Sequence, residues 1–148
     1  LWNNAHHPSD VEGQLDATLS QLGTHYLDLY LIHWPVAFAR GHEKFPLREG
    51  KSDEVEIDTD TSIVDTWKEM LALRNSGKAK AVGVSNFTIQ HLEAIINATG
   101  EPPAVNQVEA HPLLPQDDLV EYCKKQGIHM TAYSPLGNNR ERRRADEN

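Results

Sequence analysis

Four apolar runs in this sequence end on polar side chains. An imidazole follows "DLYLI" at His33, a hydroxyl and a carboxamide follow "AVGV" at Ser85 and Asn86, a carboxamide follows "AVN" at Gln107, and a phenol and a hydroxyl follow "HMTA" at Tyr133 and Ser134. All of these groups donate and accept hydrogen bonds, and the imidazole also changes charge near neutral pH. Singly, each has an ordinary reading. A histidine at the end of a strand is most often a surface or satisfied core residue, Ser-Asn after a strand is usually a turn or a helix cap, and Gln107 and Tyr133 read equally well as buried residues with satisfied hydrogen bonds. Four successive repeats of one pattern favour a polar site at one end of a sheet.

The elements that would position these residues alternate. Ser9-Asp10-Val11-Glu12 has capping-box spacing, and Val11, Leu15, Leu19 and Leu22 recur at helical spacing up to Gly23. "DLYLI" (28–32) reads as a strand buried on both faces. Residues 36–60 hold no period, carry breaks at Gly41, Pro46 and Gly50, include the acidic stretch "SDEVEIDTD", and read as a long loop. A helix follows from Ile63 through Trp67, Met70, Leu71 and Arg74 to Gly77, then a strand over 79–87, a helix over 88–99 and a strand over 104–109. Pro115 is expected to open a helix with Leu119, Val120 and Cys123 on one face, stopped by Gly127, and 128–137 form the last strand and turn. Such alternation means an α/β fold with parallel strands and crossover helices. A doubly wound sheet and a (β/α)8 barrel both satisfy it. No G-x-G-x-x-G follows a strand, and "GVSNF" does not replace it, so the barrel is favoured. In a barrel, the carboxyl ends of the strands form the rim where sites are built.

Composition narrows the function. With 148 residues the chain fits one domain, but it starts on Leu1-Trp2 and is expected to be a piece of something longer. A formal charge of −8 repels phosphate backbones and argues against nucleic acid as a partner. The apolar runs fall short of a membrane span, the lone Cys123 cannot form an internal disulfide, and no secretory leader is visible, so the expected setting is cytoplasmic and soluble. His6 and His7, with one distant cysteine, do not make a zinc spacing, and no metal is expected.

"DLYLIHWP", "GKAKAVGVSNF", "PAVNQVEAHPLLPQ" and "TAYSPLG", in this order and spacing, resemble the aldo-keto reductases, in the branch of aldehyde, aldose and glycerol reductases. The resemblance covers residues 1–138 and implies a partial (β/α)8 TIM barrel, roughly strands 4 to 7 with their helices; 139–148 then form a divergent charged tail. It implies that His33 polarises a substrate carbonyl and that Trp2 and Trp34 wall the substrate pocket. It further implies that Ser85, Asn86 and Gln107 hold the nicotinamide carboxamide, that Tyr133 stacks on the nicotinamide ring, and that Ser134, Leu136 and Gly137 begin the loop over the pyrophosphate. The implied cofactor is NADP(H), with NAD(H) as the alternative, and the implied partner is a small carbonyl compound or alcohol.

Two departures accompany the resemblance. The family's general-acid tyrosine, with the lysine and aspartate that tune it, belongs to earlier strands and is not in this chain; the lysine would stand directly before Leu1. After Gly137 the sequence "NNRERRRADEN" replaces the family's continuation and reads as a solvated tail or the product of altered splicing or reading frame. The chain alone is therefore expected to be inactive and, with two unpaired strand edges and inward-facing apolar side chains such as Leu29, Leu31, Val82 and Val84 exposed, to self-associate; its parent is expected to be a monomer. Two other readings stand beside the reductase: a non-catalytic nucleotide-binding or regulatory subunit, and a phosphate-handling barrel of another reaction class. Glu109 and His111-Pro112 are read as shaping a loop.

Overall fold

The computed structural model describes residues 1–137; Asn138 and the expected tail at 139–148 lie outside them. Strands β1 (Leu27–Ile32), β2 (Ala79–Ser85), β3 (Val105–Glu109) and β4 (His129–Tyr133) form one parallel sheet in the order β1-β2-β3-β4. Helix α1 (Pro8–Leu22) precedes β1, and α2 (Ile63–Asn75), α3 (Ile89–Thr99) and α4 (Asp117–Gln126) connect the strands. Spatial order follows chain order, so each crossover advances one strand in the same direction. That is how a (β/α)8 barrel winds, whereas a doubly wound sheet reverses at a switch point.

Side-chain alternation along the strands separates two faces. Tyr30, Ile32, Val82, Val84 and Val108 join Leu15, Trp67, Met70, Leu92, Ile95 and Cys123 in one buried core beneath the helices. The opposite, inner face carries Leu29, Leu31, Gly83, Ser85 and Gln107. Two expectations change here. β1 is not buried on both faces, since Leu29 is 38% exposed and only Tyr30 and Ile32 are buried. Val82 and Val84 pack under the helices and are not among the inward side chains a partial barrel exposes. On the inner face Gly83 is required by close packing: a Cβ there would lie 2.7 Å from both Leu31 Cδ2 and the Val105 carbonyl oxygen.

Local chemistry also departs from the sequence pattern at two helix starts. Pro8, which has no N–H to leave unpaired, takes the first position of α1, and His7 is the cap, its Nδ1 accepting from the Ser9 N–H at 3.4 Å. The expected Ser9–Glu12 capping box is therefore absent: Ser9 Oγ meets Asp10 and Arg40, and Glu12 pairs with Lys78. At α4 the cap is Gln116 in the left-handed region, so the helix begins at Asp117 and not at Pro115; Leu119 and Cys123 are buried while Val120 points outward. The long loop folds back on itself through antiparallel bridges Phe38–Ile57 and Leu47–Val55.

His6, at the turn into α1, is buried, and its Nε2 has no hydrogen-bond partner among the described residues. Burial pushes its pKa down to about 4 from 6.5. The unfolded chain thus binds a proton that the folded chain refuses, so the neutral ring's contribution is present above pH 6.5 and is lost as pH falls through about 4. The loss should amount to about 3 kcal/mol. His6→Phe should flatten this acid limb in urea melts at successive pH values; an unchanged limb would assign the acid sensitivity to other groups.

Candidate active site

The chain begins alongside β1. Leu1 N donates to the Leu31 carbonyl at 2.7 Å, and the His33 N–H donates to the Leu1 carbonyl at 3.0 Å, the alternation of a parallel pair. This sets Trp2 against His33, ring centroids 4.9 Å apart, and Trp2 also meets Phe45 edge to face, with centroids 5.4 Å apart. The long loop is fastened here: Trp2 Nε1 donates to the Lys44 carbonyl at 2.8 Å, Asn4 Nδ2 donates to the carbonyls of Gly41 and Glu43, and Arg40 forms a two-pronged pair with Asp10. Phe45 thereby joins the aromatic wall. It was not visible as a wall residue in the sequence, where "EKFPL" is one unpatterned stretch in a long loop.

The register Ile32–Val84 and Ser85–Gln107 aligns the strand ends, so His33, Ser85 and Gln107 face the same side of one rim. Asn86 ties them together. Its backbone is left-handed (φ 62°), its Nδ2 donates to the His33 carbonyl at 2.9 Å and to Ser85 Oγ at 3.2 Å, and its Oδ1 accepts from the Tyr133 hydroxyl at 2.8 Å. Ser85 Oγ in turn donates to the Gln107 carbonyl at 2.7 Å. One carboxamide thus cross-links the ends of β1, β2 and β4 and fixes the Tyr133 ring from its hydroxyl end.

Partial desolvation at the rim, with a smaller contribution from the Leu1 ammonium, lowers the His33 pKa from the ordinary histidine value and so favours the neutral ring, which offers an N–H donor. Trp34 lies apart from the Trp2 wall. It borders a cleft of about 730 Å³ together with Asn86, Glu109, Leu114, Gln116 and Tyr133. Beyond β4 the chain turns through Ser134 (φ 49°) to Gly137 (φ 77°), whose N–H donates to the Ser134 carbonyl at 2.8 Å. Leu136 projects from this turn, 97% exposed. His111 packs beside Gly137 and reaches Glu109 at 3.3 Å, which gives the loop-shaping pair a place under the turn.

The residues fit a nicotinamide carboxamide. Asn86 Oδ1 has a second lone pair, the Gln107 side chain makes no hydrogen bond among the described residues, and the Tyr133 ring is held at their side. Among the described residues no cluster of three metal-ligating side chains occurs, and no helix is long and apolar enough to cross a membrane.

Parallel strands wound in one direction, with polar side chains gathered at their carboxyl ends, define a segment of a (β/α)8 barrel carrying its site on the C-terminal rim. The model of the Aldo/keto reductase family matches residues 1–148, and the chain belongs to that family. It is 60% identical over 139 residues to a D/L-glyceraldehyde reductase of Hypocrea jecorina, covering 94% of this chain and 41% of that protein. It is 48% identical over 138 residues to aldo-keto reductase family 1 member A1 of Cricetulus griseus, covering 93% of this chain and 41% of the relative. Among solved structures, the aldose reductase of Giardia lamblia superposes with a TM-score of 0.84 at 41% identity, over 93% of this chain and 45% of that one. The aldose reductase of Schistosoma japonicum gives 0.84 at 38% identity, over 90% and 44%. The chain therefore spans less than half the length of these relatives, and its fold is a partial barrel.

Proposed function

We propose that this chain is the central part of an NADP-dependent carbonyl reductase that interconverts small aldehydes or ketones and their alcohols. The observation that carries the reading is the Asn86 cross-link, which brings a carboxamide-binding set, Ser85, Asn86 and Gln107, together with a fixed aromatic ring, Tyr133, beside the carbonyl-facing His33. Bound NADPH would supply a hydride to the carbonyl carbon. The role of this chain's residues is to orient and to stabilise. Asn86 and Gln107 pair the carboxamide, Tyr133 covers one face of the ring, and the turn at Ser134, Leu136 and Gly137 closes over the phosphates. His33 donates a hydrogen bond to the carbonyl oxygen as negative charge grows there, which a neutral imidazole at a partly desolvated rim does well. Trp2, Phe45 and Trp34 supply apolar walls. Glyceraldehyde, the compound named for the relative at 60% identity, is the first substrate to test. Preference for NADP(H) over NAD(H), a cytoplasmic setting, a monomeric parent, and the absence of nucleic-acid and membrane partners belong to the same reading; the charge of −8 supports the last two.

The experiment is a nucleotide titration on the whole protein that carries this segment, followed by tryptophan fluorescence. NADPH should bind, and Asn86→Ala should weaken it by about 1 to 3 kcal/mol, because a buried amide contact is lost and the Tyr133 hydroxyl loses its acceptor. Equal affinity in wild type and variant would sink the assignment of Asn86. Binding without turnover of any carbonyl would favour the non-catalytic subunit.

A further inference from the structure

We infer that Asn106, a fully buried residue on the helix-facing side of β3, is a positioning residue for nicotinamide binding, acting through Asn86. The inference rests on the reductase reading above and names the device that sets its central side chain. The ladder between β2 and β3 ends at Ser85–Gln107. Beyond it, Asn86 adopts a left-handed backbone, which asparagine enters more readily than other residues with a Cβ but which is still less favourable than the right-handed and extended regions.

Two contacts hold the near side of this turn: the Asn86 N–H donates to the Gln107 carbonyl at 2.9 Å, and Ser85 Oγ donates to the same oxygen. The far side is held by Asn106. Its Nδ2 donates to the Phe87 carbonyl at 3.0 Å, and its Oδ1 accepts from the Phe87 N–H at 3.4 Å. The side chain thus imitates one more backbone pair of the ladder after the strands have parted. Asn106 is fully buried, so bulk solvent does not stand ready to replace those bonds if they are removed. Phe87 is itself buried, its ring edge-on to His91 at 5.6 Å, which anchors the side chain while Asn106 anchors the backbone. Released from Asn106, the Phe87 peptide can rotate, and Asn86 can relax out of the left-handed region. Its carboxamide would then leave the His33 carbonyl and the Tyr133 hydroxyl together.

A buried asparagine with both polar groups satisfied can also be simply part of the core. A double-mutant cycle separates the two roles. In the whole protein carrying this segment, NADPH affinity is measured by fluorescence for wild type, Asn106→Leu, Asn86→Ala and the pair. Asn106→Thr, which suits a strand but is too short to reach the Phe87 backbone, repeats the cycle in case the leucine variant does not fold. The expected result is an affinity loss of about tenfold for either Asn106 variant alone and none beyond that of Asn86→Ala in the pair. Amide exchange at Phe87 should accelerate in the Asn106 variants before nucleotide is added. Losses that multiply across the two sites, or unchanged affinity in the Asn106 variants, would overturn the inference while leaving the reductase reading intact. A wild-type protein that binds neither NADPH nor NADH would overturn both.

Discussion

Replacing His33 with alanine in the whole protein should lower carbonyl turnover by roughly 10²- to 10³-fold, the cost of removing one preorganised donor to a developing oxyanion. Nucleotide affinity should stay near wild type. The separation follows from placement: His33 touches the cofactor-side residues only through its backbone carbonyl, which accepts from Asn86 Nδ2 and survives the substitution. The imidazole instead faces the aromatic wall of Trp2. Partial desolvation lowers its pKa, which favours the neutral ring. It donates without carrying a charge that would have to be desolvated. His33→Gln, which keeps an N–H donor of similar reach, should recover part of the rate. NADPH oxidation at saturating aldehyde, set beside a fluorescence titration of the same variants, reads both quantities. A matched fall in rate and in nucleotide affinity would contradict the role, since it would mean that the ring supports the carboxamide set.

The period-2 and period-3.6 patterns made the order of strands and helices legible, along with the polar residue at each strand end. β1 matches its hydrophobic run to within one residue, whereas β3 continues past the run "AVN" to Glu109, which leaves Gln107 two residues inside its end. What the sequence could not reveal depends on partners distant in the chain. Ser9 and Glu12 have the spacing of a capping box, yet Pro8 captures the helix start and Lys78, from the turn before β2, captures Glu12. Phe45 becomes a wall residue only because Trp2 and Asn4 bind the carbonyls of the loop that carries it. Asn106 reads as an ordinary strand residue until the left-handed turn at Asn86 brings the Phe87 backbone against it. The inner and outer faces of β1 and β2 were likewise ambiguous. Leu29, Leu31, Val82 and Val84 are all apolar, and only the parallel register decides which of them lie under helices.

Expressed by itself, the 148-residue chain should reduce no carbonyl compound at a measurable rate and should self-associate. Hydride addition leaves an alkoxide that needs a proton, and a general acid must stand within hydrogen-bond reach, about 3 Å, of that oxygen. None of the chain's four tyrosines meets this condition. Tyr133 donates its hydroxyl to Asn86, and Tyr30 is buried beneath the helices. Tyr26 sits before β1 under the Lys80 ammonium, about 20 Å from the far rim at the usual rise of a strand, and Tyr122 lies on α4. The proposed reading assigns His33 to hydrogen-bond donation, and its lowered pKa disfavours the imidazolium that would deliver a proton. The sheet supplies the second half of the expectation. Among the described residues β4 pairs only with β3, and no helix covers the inner face on which Leu29 is exposed. An open strand edge beside an apolar surface recruits another copy. Sedimentation of the purified chain should therefore show dimers or larger species, and its NADPH oxidation rate with glyceraldehyde should match that of buffer. A monodisperse monomer that turns over substrate would show that His33 or one of the four tyrosines delivers the proton after all, and would require Tyr133 to leave Asn86 during the reaction.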